Sequence, residues 1–156
     1  MSVSWKFFRL QLFTLNKSNV ILFFPIMISM KIIHIDDSKE IRELYSEILV
    51  AKNHSVKSVY DGKKGLELVA KNDYDLILLD MYMPKYSGIE FLRDLKNTRP
   101  TELKKVIIVS LLDFKDSHAK EFLKFGIHSI LKKPMNLKEL ENIEKDMLRI
   151  KKIVTV

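Results

Sequence analysis

Five side chains of complementary chemistry lie far apart in this chain: Asp36, Asp37, Asp80, Ser110 and Lys133. Each closes a run of aliphatic residues. Asp36-Asp37 follow Lys-Ile-Ile-His-Ile, Asp80 follows Leu-Ile-Leu-Leu, Ser110 follows Val-Ile-Ile-Val, and Lys132-Lys133-Pro134 follow Ser-Ile-Leu. Singly, each has an ordinary role: Asp37 as a helix cap, Ser110 as a turn residue, Lys133 as a solvated surface charge. Gathered on one rim they do something else. Three carboxylates held close repel one another and raise their proton affinity unless a cation intervenes. A hard divalent ion answers that, and Mg²⁺ takes a few carboxylates together with waters and phosphate oxygens. The ion and one lysine then balance the three carboxylate charges. The reaction suited to such a site is in-line attack by an Asp carboxylate on a phosphate ester or anhydride, giving an acyl phosphate. Catalysis would be positioning plus charge neutralisation.

These residues meet only if the aliphatic runs are neighbouring parallel strands, and from Met30 onward the pattern predicts that. Strand and helix signals alternate, which specifies an α/β fold with a parallel sheet. Lys31 to Ile35 is a short β-branched run. Ser38 to Ala51 carries Ile41, Leu44, Tyr45, Ile48 and Leu49 on one helical face, with Asp37 and Glu40 at capping-box spacing. Ser55 to Tyr60 alternates as a second strand, and Asp61-Gly62 leads into a helix over about Lys63 to Lys71. Asp75 to Asp80 reads as a buried central strand, since consecutive apolar residues suit cover on both faces. A loop with Pro84 and Gly88 precedes a helix carrying Ile89, Leu92 and Leu95. Val106 to Ser110 is the fourth strand, a helix runs from about Asp113 to Phe125, and Gly126 suits its end. Ile127 to Lys132 is the fifth strand. Asn136 opens the last helix, with Leu137, Leu140, Ile143, Met147 and Ile150 inward. In such sheets ligands bind at the carboxyl ends of the strands, where all five candidate residues stand.

The 156 residues are enough for one domain with a real core, and 47% hydrophobic with 30% charged residues is a globular composition. There is no cysteine, which excludes disulfides, thiolate metal sites and thiol nucleophiles and fits a reducing interior. The net charge of +7 and pI near 9.5 invite a nucleic-acid reading. The lysines form no basic stripe interleaved with aromatics, so no nucleic-acid partner is expected. Lys6, Arg9 and Lys17 precede the first acid, Asp36, so part of the basicity belongs to a hydrophobic leader over residues 1–29. Its apolar run from Val20 to Ile28 is broken by Pro25, and Asn16, Lys17 and Asn19 interrupt any window of the roughly 20 apolar residues that a membrane helix needs. Ser29 after Ile28 is a poor signal-cleavage site. The leader is read first as lying outside the domain, with Met30 as the true start, then as a weak membrane or partner anchor, and last as a signal peptide.

From Met30 to about Ile150 the chain resembles the receiver domain of two-component response regulators, in the single-domain chemotaxis-regulator form. The matching features are the acidic pair after the first strand, Asp80, Pro84 and Gly88 behind it, Ser110, and Lys133-Pro134, at the family's separations. The resemblance implies a doubly wound, flavodoxin-like fold of five parallel strands and five helices over 30–156. It implies that Asp80 is the phosphoacceptor. Asp37 and the backbone carbonyl of Tyr82 would ligate Mg²⁺ directly, and Asp36 mainly through water. Ser110 would donate to a phosphoryl oxygen and Lys133 would pair with the phosphoryl group. It further implies a cytoplasmic switch, not an enzyme, whose partners are a histidine kinase or phosphotransfer protein and a downstream target protein. Alternation along the fifth strand sends Lys132 and Lys133 to opposite sides. Pro134 restrains the backbone after Lys133, and a cis bond there, as the family suggests, would aim Lys133 at the site.

Two positions depart from the family. Ile130 stands where an aromatic usually rotates inward on activation, and Leu111 replaces a small residue after the hydroxyl position, where it would crowd the entrance. They leave one alternative open: a phosphorylation-independent pseudo-receiver that works as an interaction module. A dehalogenase-type phosphohydrolase needs a second Asp two residues after the nucleophile, where Tyr82 stands, and a flavodoxin-like nucleotide binder needs a Gly-rich phosphate loop that is absent. His34 is expected to pack within its strand; His54, His118 and His128 lack ligand spacing. Tyr82 and Tyr86 are read as ordinary loop tyrosines, and Lys145, Arg149, Lys151 and Lys152 as a solvated face. If the leader lies outside the domain, the chain without residues 1–29 melts at the same temperature as the full chain; calorimetry showing a large loss would place those residues within the fold.

Overall fold

The computed structural model describes residues 9–14, 21–26, 29–111 and 116–154, and side-chain surroundings over 29–111, 119–136 and 138–147. Within the leader, β1 (Arg9–Thr14) and β2 (Ile21–Ile26) pair antiparallel as a two-stranded sheet of their own, with Pro25 opposite Leu10. The remaining strands, β3 (Lys31–Ile35), β4 (Ser55–Val59), β5 (Leu76–Leu79), β6 (Val106–Ser110) and β7 (Ser129–Lys132), form one five-stranded sheet in the order β4-β3-β5-β6-β7. Every pairing in it is parallel, as the sequence pattern predicts. Among the described residues no helix is long and apolar enough to cross a membrane.

The aliphatic runs make central strands because both faces are covered. All residues of β5 and β6 are buried, and removing each large aliphatic side chain from water is worth about 1.5–3 kcal/mol. Side chains alternate along each strand, so one face carries Ile33, Ile35, Ile77, Leu79 and Ile108, packed with Val69, Phe91, Leu92 and Leu95 of α2 (Gly62–Lys71) and α3 (Gly88–Thr98). The opposite face carries Ile32, Leu76, Leu78, Ile107 and Val109. It packs with Tyr45 and Leu49 of α1 (Lys39–Ala51) and with Leu140, Ile143 and Met147 of α5 (Leu137–Val154). Leu44, expected on the inward face of α1, is 42% exposed, because the buried stripe is set by Tyr45 and Leu49 and Leu44 falls at its margin. The side chains of Leu137 and Ile150, expected to point inward, and that of His118 lie outside the described residues.

Helix starts are set by local side chains. α1 is capped by Ser38, whose hydroxyl accepts the Ile41 amide at 3.3 Å, and not by Asp37. That leaves the Asp37 carboxylate for the site. Asp61 caps α2. Ser87 and Glu90 form a reciprocal capping box on α3, and Asn136 and Glu139 bond one another's amides at the start of α5. Such caps are worth about 1 kcal/mol each. A 3₁₀ turn over Pro100–Lys105, unassigned from sequence, buries Glu102 between Arg99 and Lys105. The fourth helix, expected from about Asp113 to Phe125, is described as α4 (Asp116–Leu123); residues 112–115 lie outside the described part. Gly126 ends the turn after it at φ +85°, a left-handed conformation that favours glycine.

At the amino end of the sheet, His54 ties three segments together. Its Nδ1 accepts the Met30 amide at 3.2 Å, so Nε2–H donates to Glu144 of α5 at 3.0 Å, and Lys52 joins the same carboxylate at 3.3 Å. Burial pushes the Glu144 carboxyl up, but His54 and Lys52 outweigh it and hold the group below its ordinary value of 4.5. A group with a depressed folded pKa stabilises the fold above its unfolded pKa and loses that contribution as pH falls. Glu144→Ala is therefore expected to cost about 1–3 kcal/mol at neutral pH, a difference that narrows in urea titrations once pH drops below 4.5.

At the opposite end, Gly88 lets α3 approach the residues that follow β5. A Cβ there would stand 2.6 Å from the Asp80 carbonyl oxygen and 2.8 Å from the Met81 Cα. Both are backbone atoms that cannot step aside cheaply. Gly88→Ala is expected to destabilise the fold by about 1–3 kcal/mol and to displace the Asp80 backbone; an unchanged urea midpoint with unchanged Asp80 amide shifts would refute this.

Candidate functional site

The sheet order reverses between β3 and β5, and the crevice at such a switch point is where doubly wound folds place their ligands. Asp36 follows β3 and Asp80 follows β5. The hydrogen-bond ladder continues one residue past each strand: Asp36 N–H donates to the Val59 carbonyl at 3.0 Å, Asp80 N–H to Ile35 at 2.9 Å, and Lys133 N–H to Ser110 at 2.8 Å. The site side chains therefore leave a fixed backbone. Oxygens of Asp36, Asp37 and Asp80 lie within 4.8 Å of one another, two of these residues buried and Asp37 exposed at the rim. Lys133 reaches into this cluster, its Nζ 2.6 Å from Asp36 Oδ2 and 3.0 Å from Asp80 Oδ1. Ser110 is fully buried at the end of β6, two residues past the Leu79–Ile108 pair. Four of the five expected side chains are thus in one charged cluster, with Ser110 on the adjoining strand end.

Two residues that the sequence reading did not single out hold the acidic turn. Arg42, one turn into α1, donates from Nη1 to the carbonyls of Asp36 at 2.7 Å and Asp37 at 2.8 Å. The Ser38 amide donates to Asp36 Oδ1 at 3.0 Å. His34 is packed within β3 as expected, and its ring stacks on Tyr45 at 5.0 Å between centroids. Its Nε2 lies 3.6 Å from Asp36 Oδ2, and neither ring nitrogen has a hydrogen-bond partner among the described residues.

The charges do not cancel. Burial raises the Asp36 carboxyl, but His34 and Lys133 beside it outweigh that and hold it below the usual range. Burial also raises Asp80, and repulsion from Asp36 and Asp37 adds to this, so despite Lys133 its carboxyl stays above the usual range. Lys133 gains more from its two carboxylates than burial takes away, so it remains an ammonium. Three carboxylates stand together with one buried ammonium, which pairs with two of them, and their oxygens are hard donors at close range. The donor set fits a divalent oxygen-seeking cation such as Mg²⁺.

The finer expectations divide. Lys133 is buried toward the carboxylates while Lys132 is exposed, and the Lys133–Pro134 peptide bond is cis. Ile130 is half-buried against the face carrying Phe91. Leu111, directly after β6, is 70% exposed. Tyr82 is 59% exposed, and the Tyr86 hydroxyl is engaged by Asp94 at 2.6 Å.

A family model for the response regulator receiver domain matches residues 32–144. The response regulator ArlR of Staphylococcus saprophyticus is 34% identical over 119 residues, covering 76% of this chain and 52% of that protein. The chain thus spans about half the length of the curated relatives it matches. The Francisella response regulator 1452 receiver domain superposes with TM-score 0.68 at 30% identity, covering 78% of this chain and 98% of that one. The Thermotoga maritima response regulator TrrA, in complex with Mg²⁺-BeF, has TM-score 0.64 at 24% identity over 75% of this chain and 97% of its own, a likeness of fold alone. Sequence, topology and the acidic cluster agree: the chain belongs to the response regulator receiver domain family.

Proposed function

We propose that the chain is a phosphorylation switch in which Asp80 takes a phosphoryl group and the changed charge at the sheet edge is passed to a partner protein. The observation that carries this is the Lys133 ammonium shared by Asp36 and Asp80 within the carboxylate cluster. One Asp80 oxygen attacks phosphorus while the bond to the leaving group breaks, and the leaving imidazole or acetate departs with the electron pair. Attack requires the carboxylate form. Burial opposes that form, and Lys133 with a bound cation favours it. Asp37, Asp80 and the Tyr82 carbonyl would hold Mg²⁺ directly and Asp36 through water; the ion supplies charge neutralisation of the phosphoryl oxygens. Ser110 donates to one of these oxygens and Lys133 pairs with another. In this reading Lys133 exchanges a carboxylate partner for the phosphoryl group.

The donor would be a histidine kinase or a phosphotransfer protein, the acceptor of the signal a downstream target protein, and the compartment the cytoplasm. The chain serves as substrate and switch and not as a turnover enzyme. The rival pseudo-receiver reading rests on Ile130 and Leu111, and neither residue removes a group that the phosphoryl chemistry uses.

Incubation with acetyl phosphate and Mg²⁺ is expected to add one phosphoryl group, labile to hydroxylamine, seen by intact mass spectrometry. Asp80→Asn is expected to abolish the addition. A wild-type mass that stays unchanged with acetyl phosphate and with the cognate histidine kinase would favour the pseudo-receiver instead.

A further inference from the structure

We infer that Tyr45 is a positioning residue for Lys133, acting through the backbone amide of Met135, with the His34 ring as its platform. Tyr45 is 1% exposed on α1, and its hydroxyl accepts the Met135 N–H at 2.8 Å across 90 residues of chain. Met135 follows Lys133 by two residues and is itself buried. On the other side, the Lys133 amide is held by the Ser110 carbonyl at 2.8 Å. The backbone is therefore bonded on both sides of Lys133, to the sheet before it and to α1 after it.

The surroundings make the choice of residues informative. His34 and Tyr45 occupy a layer otherwise filled by Ile32, Leu49, Leu76 and Leu78. Aliphatic side chains would fill that space without burying polar atoms, which cost free energy when unmatched. The Tyr45 hydroxyl is matched, and without it the Met135 amide would be left buried and unbonded. His34 stacks on the Tyr45 ring with 23° between planes and turns Nε2 toward Asp36 Oδ2, the oxygen that Lys133 also holds. Asp36, Lys133, Met135, Tyr45 and His34 thus form a closed ring of contacts beneath the site. Its purpose is to fix where the ammonium stands when the phosphoryl group arrives, so the inference rests on the phosphoacceptor reading.

The test is Tyr45→Phe in the full chain, which keeps the ring and its stack and removes only the hydroxyl. In the ligand-free protein, the Met135 amide is expected to exchange with solvent faster than in wild type. By calorimetry, beryllofluoride binding in the presence of Mg²⁺ is expected to weaken about three- to tenfold, the scale of one hydrogen bond, while binding of Mg²⁺ alone is unchanged. In a Lys133→Ala background the same substitution is expected to cause no further loss, because the hydroxyl acts through that lysine. Unchanged beryllofluoride affinity in Tyr45→Phe, an equal loss in both backgrounds, or loss of a cooperative melt would each overturn the assignment. Failure of the wild type to bind beryllofluoride with Mg²⁺ would overturn the phosphoacceptor reading, and this inference with it.

Discussion

One ammonium shared between two buried carboxylates governs the carboxyl edge of this molecule. Taking charges out of water costs several kcal/mol per ion, recovered only when partners stand at good geometry. Lys133 meets Asp36 and Asp80 at 2.6 and 3.0 Å, and it comes from the loop after β7 while they come from β3 and β5. The cluster therefore fastens one edge of the sheet to its centre. It also leaves negative charge in excess once Asp37 is counted. A cluster held together this way is sensitive to any ligand that changes the local charge balance.

The sheet's topology follows from the same need. Parallel strands all deliver their carboxyl ends to one side, and the order β4-β3-β5-β6-β7 sets the two acidic ends next to each other. Cover on both faces lets β5 and β6 be wholly aliphatic. Rigid, dry strands are what allow short polar loops above them to hold charged groups at fixed separations. Gly88 belongs to this economy of space: it brings the start of α3 against the backbone of Asp80.

Much of this was legible in the sequence because buried parallel strands read as uninterrupted aliphatic runs, and each run ended in a residue that could do chemistry. The choice between Lys132 and Lys133 was legible too: alternation put them on opposite sides, and Pro134 after Lys133 marked which one turns inward. What escaped was decided by geometry at short and long range. Asp37 and Ser38 are both good caps one residue apart, and only the observed bond from the Ile41 amide to Ser38 separates them. Leu44 and Tyr45 both fit an apolar stripe, whose centre is set by packing on the sheet. Arg42 acts on carbonyl groups, which carry no residue-specific signal. The bond from Met135 to Tyr45 joins positions 90 residues apart, and no local pattern encodes it.

The outer strands of the five-stranded sheet, β4 and β7, each have one side without a strand partner in that sheet. An unpaired strand edge is a template on which another chain can add, the first step toward sheet extension and aggregation. β7 has only four residues and ends in the exposed Lys132, while β4 carries the exposed Lys57 between Val56 and Ser58. Bringing a second copy edge to edge would press these ammonium groups into a strand interface, where they would lose water. A lysine on each outer strand therefore raises the cost of edge-to-edge pairing between two copies.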